Sequence, residues 1–330
     1  RMYIGYIGLG KMGLMQVERL LERGWRVVAW NRSEGPRRAA RKAGAEIANT
    51  LGEVASKLKR SRLIWLMVPH AAVDGVLKEL VPHLSKGDTV IDGGNSFYKH
   101  SARRAKEFAR KGINFLDVGV SGGPFGARNG ACLMIGGDRK VFKKHERLFK
   151  NLAASYSPFS KGSGRRPRDF EILRLTDSPP PFRKEEYRHS GNYAYMGRSG
   201  AGHFVKMAHN GIEYGMMQAI GEGFSVLKKS QFRLNLKQIA ELYNRGSVIE
   251  SRLTGWLAKA FEKHGENLKS ISGEVAQSGE GLWTVQTAKG LGIPVRVIED
   301  SLRFRVKSKG RPTYTGQVVS ALREQFGGHD

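Results

Sequence analysis

The chain has 330 residues, 40% of them hydrophobic and 26% charged, the make-up of a folded globular protein with room for two cores. Lys and Arg number 56 against 30 Asp and Glu, a formal charge of +26. No apolar run approaches the ~20 residues of a bilayer span, and Cys132, the single cysteine, can form neither an internal disulfide nor a thiolate metal cluster.

The first residues pass straight into Tyr3, Ile4, Gly5, Tyr6, Ile7 and Gly8 with no signal-type region, so a cytoplasmic location is expected. Short apolar runs rich in Ile, Val and Leu at 3–8, 26–30, 63–68, 89–92, 113–117 and 132–136 read as strands. Amphipathic stretches at 12–23, 72–80, 102–111 and 139–151 read as the helices between them. Such alternation predicts a parallel sheet covered on both faces. Residues 156–192 fit neither pattern. They carry Gly162, Gly164, Pro167 and Pro179-Pro180-Pro181 among many charges, which suits a long surface excursion or a disordered insert. From about residue 200 helical patterns take over, at 203–228, 236–244, 248–263, 283–291, 294–307 and 314–326, with Pro294 expected in a first turn.

Gly8-Leu9-Gly10-Lys11-Met12-Gly13 is a G-x-G-x-x-G string after a predicted strand and at the start of a helix. The first glycine permits a tight turn, the second lets a pyrophosphate reach the backbone, and the third allows close helix–strand packing. A purely structural glycine turn is the alternative. The expected fold class is therefore α/β: a Rossmann-type doubly wound sheet in residues 1–200, with an atypical insert at 156–192, then an all-α domain in 201–330. At the end of the second strand, Asn31-Arg32-Ser33 contains no acid to repel a 2′-phosphate. Arg32 can cover the adenine and pair with phosphate while Asn31 and Ser33 offer neutral hydrogen bonds, so NADP is preferred over NAD.

On a 3.6-residue helix, Lys206, His209, Asn210, Glu213 and Tyr214 fall at i, i+3, i+4, i+7 and i+8, a single polar stripe. Lys206 and Glu213 stand about 10 Å apart along the axis, enough for a small sugar acid between them. A base and an acid on opposite sides of one substrate suit an oxidation followed by protonation, provided that burial or positive charge lowers the lysine's pKa. A solvated helix face is the alternative. His209 is expected to hydrogen-bond substrate, not to move protons. No His/Asp/Glu cluster has ligand spacing, so no metal is expected. Ser121-Gly122-Gly123 and Asp92-Gly93-Gly94-Asn95-Ser96 follow strands on the edge where open sheets bind ligands; simple tight turns are the alternative there.

Taken together, G-L-G-K-M-G, D-G-G-N-S, S-G-G-x-x-G-A-R, the string G-H-F-V-K-M-x-H-N-G-I-E-Y-G-M-M-Q from Gly202 and the terminal F-G-G-H occur in an order that resembles 6-phosphogluconate dehydrogenase, decarboxylating, in its short form, within the wider β-hydroxyacid dehydrogenase group. The likeness runs from residue 2 to 329 apart from 156–192. It implies that Lys206 takes the C3 hydroxyl proton as hydride passes to the nicotinamide. Carbon dioxide is then lost, and Glu213 helps to protonate the enediol carbon, leaving ribulose 5-phosphate. It further implies that Asn95, Ser121, Gly122, Gly123, His209 and Asn210 hold carboxylate and hydroxyls, that Tyr214 and Arg305 hold phosphate, and that Val68 and Asn95 lie beside the cofactor. Arg323 and His329 match a pair reaching the phosphate from a neighbouring subunit, hence a homodimer or a dimer of dimers. Leu282 and Ser278 stand where relatives carry lysines, and Pro124-Phe125 where long forms carry an acidic pair.

A non-decarboxylating β-hydroxyacid dehydrogenase, of the 3-hydroxyisobutyrate type, shares the glycine motifs and the lysine; Glu213 and the Arg323/His329 pair favour the decarboxylating reading. The +26 charge attracts polyanions. It is dispersed, without zinc-finger spacing or an RNP-type aromatic motif. A composition habit on solvated faces, a basic field for an anionic substrate and cofactor, and nucleic-acid binding on a retained dehydrogenase fold remain the readings, the last the weakest beside an intact acid–base stripe. By the same resemblance the insert precedes 193–197, the last strand of the cofactor domain, and should loop out without breaking the sheet. Replacing the insert by a short linker should leave turnover intact, and loss of activity in a folded deletion variant would overturn that view.

Overall fold

The computed structural model describes residues 2–154, 192–277 and 279–327. Eight strands, β1 (Met2–Ile7), β2 (Trp25–Trp30), β3 (Glu46–Ile47), β4 (Leu63–Leu66), β5 (Thr89–Asp92), β6 (Asn114–Ser121), β7 (Cys132–Gly137) and β8 (Tyr193–Gly197), form one sheet. Its order is β3-β2-β1-β4-β5-β6-β7-β8. Around it lie α1 (Lys11–Glu22), α2 (Glu34–Lys42), α3 (Leu51–Ser56), α4 (His70–Leu80), α5 (Tyr98–Arg110), α6 (Gly123–Asn129), α7 (Arg139–Lys144) and α8 (Glu146–Leu152). Then come α9 (Ala201–Lys229), α10 (Leu236–Tyr243), α11 (Arg252–His264), α12 (Glu280–Gly290), α13 (Arg296–Ser308) and α14 (Tyr314–Gly327).

The strands are apolar because both sheet faces are covered. One cluster, around Ile4, Tyr6, Trp65 and Leu116, packs on one side, and another, around Ile7, Ile64, Leu66 and Val90, on the other. The topological switch falls between β1 and β4, whose carboxyl ends open the crevice where such sheets bind ligands. A third core, built on Met217, Phe224, Leu257 and Phe261, belongs to the helices.

Several expectations need correction. The sheet is not wholly parallel, since β7 runs antiparallel to β6. The stretch 139–151 is two helices, α7 and α8, meeting at His145. Pro294 precedes α13, which begins at Arg296. The glycine-rich 121–130 stretch contains a helix, α6, and is not only a turn. The 156–192 insert lies outside the described residues except for Asn192, whose N–H donates to the Ala154 carbonyl at 3.0 Å while its own carbonyl accepts from Leu133 at 2.9 Å. Among the described residues no helix is long and apolar enough to cross a membrane.

The two halves are joined by α9, which crosses the end of the sheet. Asp117, fully buried on β6, accepts the Gly200 N–H through Oδ1 at 2.7 Å and the His203 N–H through Oδ2 at 2.9 Å. A carboxylate from the sheet thus caps the first turn of the helix, where the backbone dipole favours negative charge. Gly202 makes the approach possible: a β-carbon there would stand 2.5 Å from the carbonyl oxygens of Asp117 and Met134. The His203 ring completes the dock, with Nδ1 2.7 Å from the Ser101 hydroxyl on α5. Asp117→Ala strands two buried donors, so urea unfolding should show a loss of about 2–4 kcal/mol. Asp117→Asn, which keeps one acceptor oxygen, should lose less; equal stability of Asp117→Ala and the parent would refute the capping role.

Candidate active site

Between the sheet's carboxyl edge and the helical half runs a cleft of about 1010 Å³. The first turn of α1, the segments after β4 and β5, and the start of α6 form one wall; α9, α11, α12, α13 and α14 form the other.

The β1–α1 turn fits a dinucleotide pyrophosphate. Gly8 has φ +100°, and a β-carbon at Gly13 would stand 2.0 Å from the Gly8 carbonyl, so both glycines are needed for packing. Gly10 differs: nothing lies within 4 Å of the place a β-carbon would take, which leaves its backbone open. The first turn of α1 has no side-chain cap and no acidic residue. Its N–H groups therefore suit an anion. Gly10, Lys11, Met12, Gly13, Val68 and Asn95 all line the cleft. Gly8, Leu9, Asn31, Arg32 and Ser33 do not. Leu9 is a core side chain, 2% exposed, and contributes only backbone. Asn31 accepts the Leu9 N–H through Oδ1 at 3.0 Å and donates to the Ser33 carbonyl at 3.2 Å, so it braces the glycine turn. Arg32 and Ser33 are exposed at the end of β2.

The polar stripe of α9 faces the cleft as one unit. Lys206 is 7% exposed, its stem passing over Gly119 of β6, where a β-carbon would come within 2.4 Å. Its Nζ donates to Asn210 Oδ1 at 2.8 Å and lies 3.5 Å from His209 Nδ1. His209 Nδ1 is 2.9 Å from Asn210 Oδ1, and Nε2 is 3.1 Å from the Ser121 hydroxyl. The tautomer this network assigns has Nδ1–H donating to Asn210 and Nε2 accepting from Ser121. Glu213 Oε2 stands 3.7 Å from His209 Nδ1.

Burial drives the charges of this stripe. It lowers the Lys206 pKa, with Glu213 and Glu280 pulling the other way, and it raises that of Glu213, opposed by Lys206 and Arg305. The His209 pKa falls for the same reason, helped by Lys206. Both principal shifts favour neutral forms, an amine that can accept a proton and a carboxylic acid that can give one. Arg305 lies flat on the Tyr214 ring, its Cζ 3.4 Å from the centroid, and donates to the Ala276 carbonyl at 3.3 Å. Burial pulls its guanidinium down to about 10, still a cation at neutral pH.

Ser121, Gly122 and Gly123 reach the cleft at the start of α6. Arg323 does so too, 7% exposed and within its own chain's cleft, because α14 packs along α9 of the same chain. His329 and Ser278 lie outside the described residues. Sequence reasoning missed Glu280, on the first turn of α12, and Arg252 and Trp256 of α11, all on the cleft wall. An acid between two glycines at a helix start was the available signal for Glu280; α11 offered none. Among the described residues no group of three or more His, Cys, Asp or Glu is placed to hold a metal ion.

Two family models match the chain: the NAD binding domain of 6-phosphogluconate dehydrogenase over residues 3–160 and the 6-phosphogluconate dehydrogenase C-terminal domain over 202–325. The Bacillus subtilis protein YqeC, named provisionally as a 6-phosphogluconate dehydrogenase, is 42% identical over 99% of this chain and 98% of its own. The NAD(+)-dependent, decarboxylating 6-phosphogluconate dehydrogenase of Haloferax volcanii is 36% identical over 100% of this chain and 98% of its own. Among solved structures, Plasmodium falciparum 6-phosphogluconate dehydrogenase superposes with a TM-score of 0.75 at 28% identity, covering 92% of this chain and 62% of that longer one. With its dinucleotide-binding turn, its Lys206–Glu213 stripe and these relatives, the chain belongs to the 6-phosphogluconate dehydrogenase family.

Proposed function

We propose that the protein oxidises and decarboxylates 6-phosphogluconate to ribulose 5-phosphate and CO2, with NADP as hydride acceptor. The observation that carries this reading is the placement of the buried Lys206 and the half-buried Glu213 on one face of α9 in the cleft, where burial pushes the first pKa down and the second up. When bound, the nicotinamide supplies the hydride-accepting carbon.

Lys206, neutral, takes the proton of the C3 hydroxyl as the hydride leaves that carbon, giving a β-keto acid. Its ammonium then donates to the C3 oxygen as the bond to the carboxyl carbon breaks and CO2 departs, leaving an enediol. Glu213 delivers a proton to the enediol carbon while Lys206 recovers the one on oxygen. The pair ends as ammonium and carboxylate, and moving one proton from Lys206 to Glu213 resets it. Asn210 and His209 hold the lysine in position. Ser121, with Gly122 and Gly123 beside it on the cleft wall, is suited to the substrate carboxylate, and Arg305 and Arg323 to its phosphate.

The absence of an acid in Asn31-Arg32-Ser33 supports NADP. The NAD-dependent Haloferax relative makes this the finer part of the proposal. Homodimer assembly and a cytoplasmic setting belong to the same reading; exposed apolar side chains of the helical half, Val226 on α9 at 71% and Val297 on α13 at 69%, offer surface for a second copy.

Steady-state kinetics on 6-phosphogluconate with both nucleotides, with gas evolution followed, should show CO2 equal to NADPH formed and a higher kcat/KM with NADP. Oxidation without CO2 would point to a non-decarboxylating relative, and an NAD preference would refute the cofactor assignment. The profile of kcat/KM against pH should be a bell whose two limbs belong to the Lys206–Glu213 pair, drawn together because burial lowers the lysine from its ordinary range and raises the glutamate from its own. Lys206→Met should abolish NADPH formation while NADPH binding, read by fluorescence, stays near that of the parent. Unchanged turnover would remove Lys206 as the base.

A further inference from the structure

Two buried groups of opposite charge on the cleft wall each carry one atom without a hydrogen-bond partner among the described residues. Glu280 is 3% exposed, and its Oε2 has no partner among the described residues. Arg305 is 2% exposed, and its Nη2 has none either. Both residues line the cleft; their charges act on each other and on Glu213 and Arg323, and that of Glu280 acts on Lys206 as well. They share a framework. Glu280 opens α12 after Gly279, which holds the left-handed conformation, φ 98°. The next residue, Gly281, packs so closely on Tyr214 that a β-carbon there would meet the ring at 2.5 Å. Arg305 lies on that same ring.

Leaving a buried carboxylate oxygen and a guanidinium N–H unpaired is costly, so a ligand that satisfies both is strongly selected. A carboxylate only accepts hydrogen bonds and a guanidinium only donates. A phosphate dianion, itself only an acceptor, suits Arg305 and Arg323 and is repelled by Glu280. An ammonium suits Glu280 and is repelled by the arginines. A hydroxyl does both: its oxygen accepts from Arg305 and its hydrogen goes to Glu280.

We propose that Glu280 is a specificity determinant, accepting a hydrogen bond from a substrate hydroxyl next to the substrate's anionic end. This rests on the reading of the cleft as a site for a phosphorylated sugar acid, in which the hydroxyl is the one on C5. Glu280 thereby makes the arginine-lined end of the cleft select a polyol phosphate over a bare phosphate or an alkyl phosphate.

The test is a ligand–variant cycle by titration calorimetry without nucleotide, using 6-phosphogluconate and its 5-deoxy analogue. The parent protein should bind the deoxy compound about 10- to 100-fold more weakly, the range for a hydrogen bond to a charged group. Glu280→Ala should bind the two alike. Should that variant fail to fold, Glu280→Gln, which keeps the size and one acceptor oxygen without the charge, should reduce the discrimination, with NADPH binding unchanged as the control. A parent protein that binds and oxidises 6-phosphogluconate yet does not discriminate, or folded variants that discriminate as fully as the parent, would overturn the role of Glu280 and leave the functional reading standing. A parent protein that neither binds nor oxidises 6-phosphogluconate would overturn the functional reading, and the inference with it.

Discussion

The carboxylate of Asp117 holds the first turn of α9 against the sheet, and the position of every catalytic group depends on it. α9 runs for 29 residues and carries both the proposed base and the proposed acid. A helix is rigid over a few turns, so once its N-terminus is pinned, the azimuth and height of Lys206, Asn210 and Glu213 follow. Two backbone N–H groups, a buried carboxylate and a glycine at Gly202 are enough to fix a chemical site about a turn further along. Ser101 and His203 add a second tie to α5. The dinucleotide half and the helical half thus meet at a junction that Asp117, Ser101 and His203 brace together.

Burial then converts position into chemistry. Lys206 would be a poor base in water and Glu213 a poor acid at neutral pH. Packed between the sheet and the helices, each is pushed toward its neutral form. The same low-polarity setting raises the worth of every charge that remains, which is why Arg305 is stacked on Tyr214 and why an unpartnered oxygen on Glu280 matters. The general excess of positive charge has a different scale. Spread over the chain, it raises the local concentration of anionic ligands without choosing among them. Selection belongs to the few buried groups.

The cofactor side is built on a division of labour among three glycines. Gly8 and Gly13 let β1, α1 and the β4 segment meet, while Gly10 keeps a stretch of backbone open to the cleft. Asn31 links this turn to the end of β2. Asn31, expected from sequence to offer the cofactor a neutral hydrogen bond, braces the glycine turn in the structure, and Arg32 is exposed at the end of β2. On the far side, the buried Arg104 of α5 donates to Asp92 and Ser96, and holds the turn that carries Asn95.

While β8 was expected only from the family resemblance, local pattern in the sequence determined the strands β1, β2 and β4 to β7, the long helices, the glycine turn and the Lys206–Glu213 stripe. Each depends on neighbours within about eight residues, where side-chain periodicity and backbone permissiveness are written directly into the chain. Tertiary structure decided the rest. Nothing in the composition of 132–137 says that β7 runs antiparallel to β6, because direction depends on which edge remains open after β6 is placed. The glycines of 121–130 hide α6 because they weaken helix propensity, and packing against α1 and α14 overrides it. Arg323 enters its own chain's cleft through the packing of α14 on α9, and Glu280 becomes an acceptor without a partner only where α12, α13 and α9 converge. Such facts join residues tens to hundreds of positions apart. They follow from how faces stack to exclude water, and no single stretch of chain contains that information.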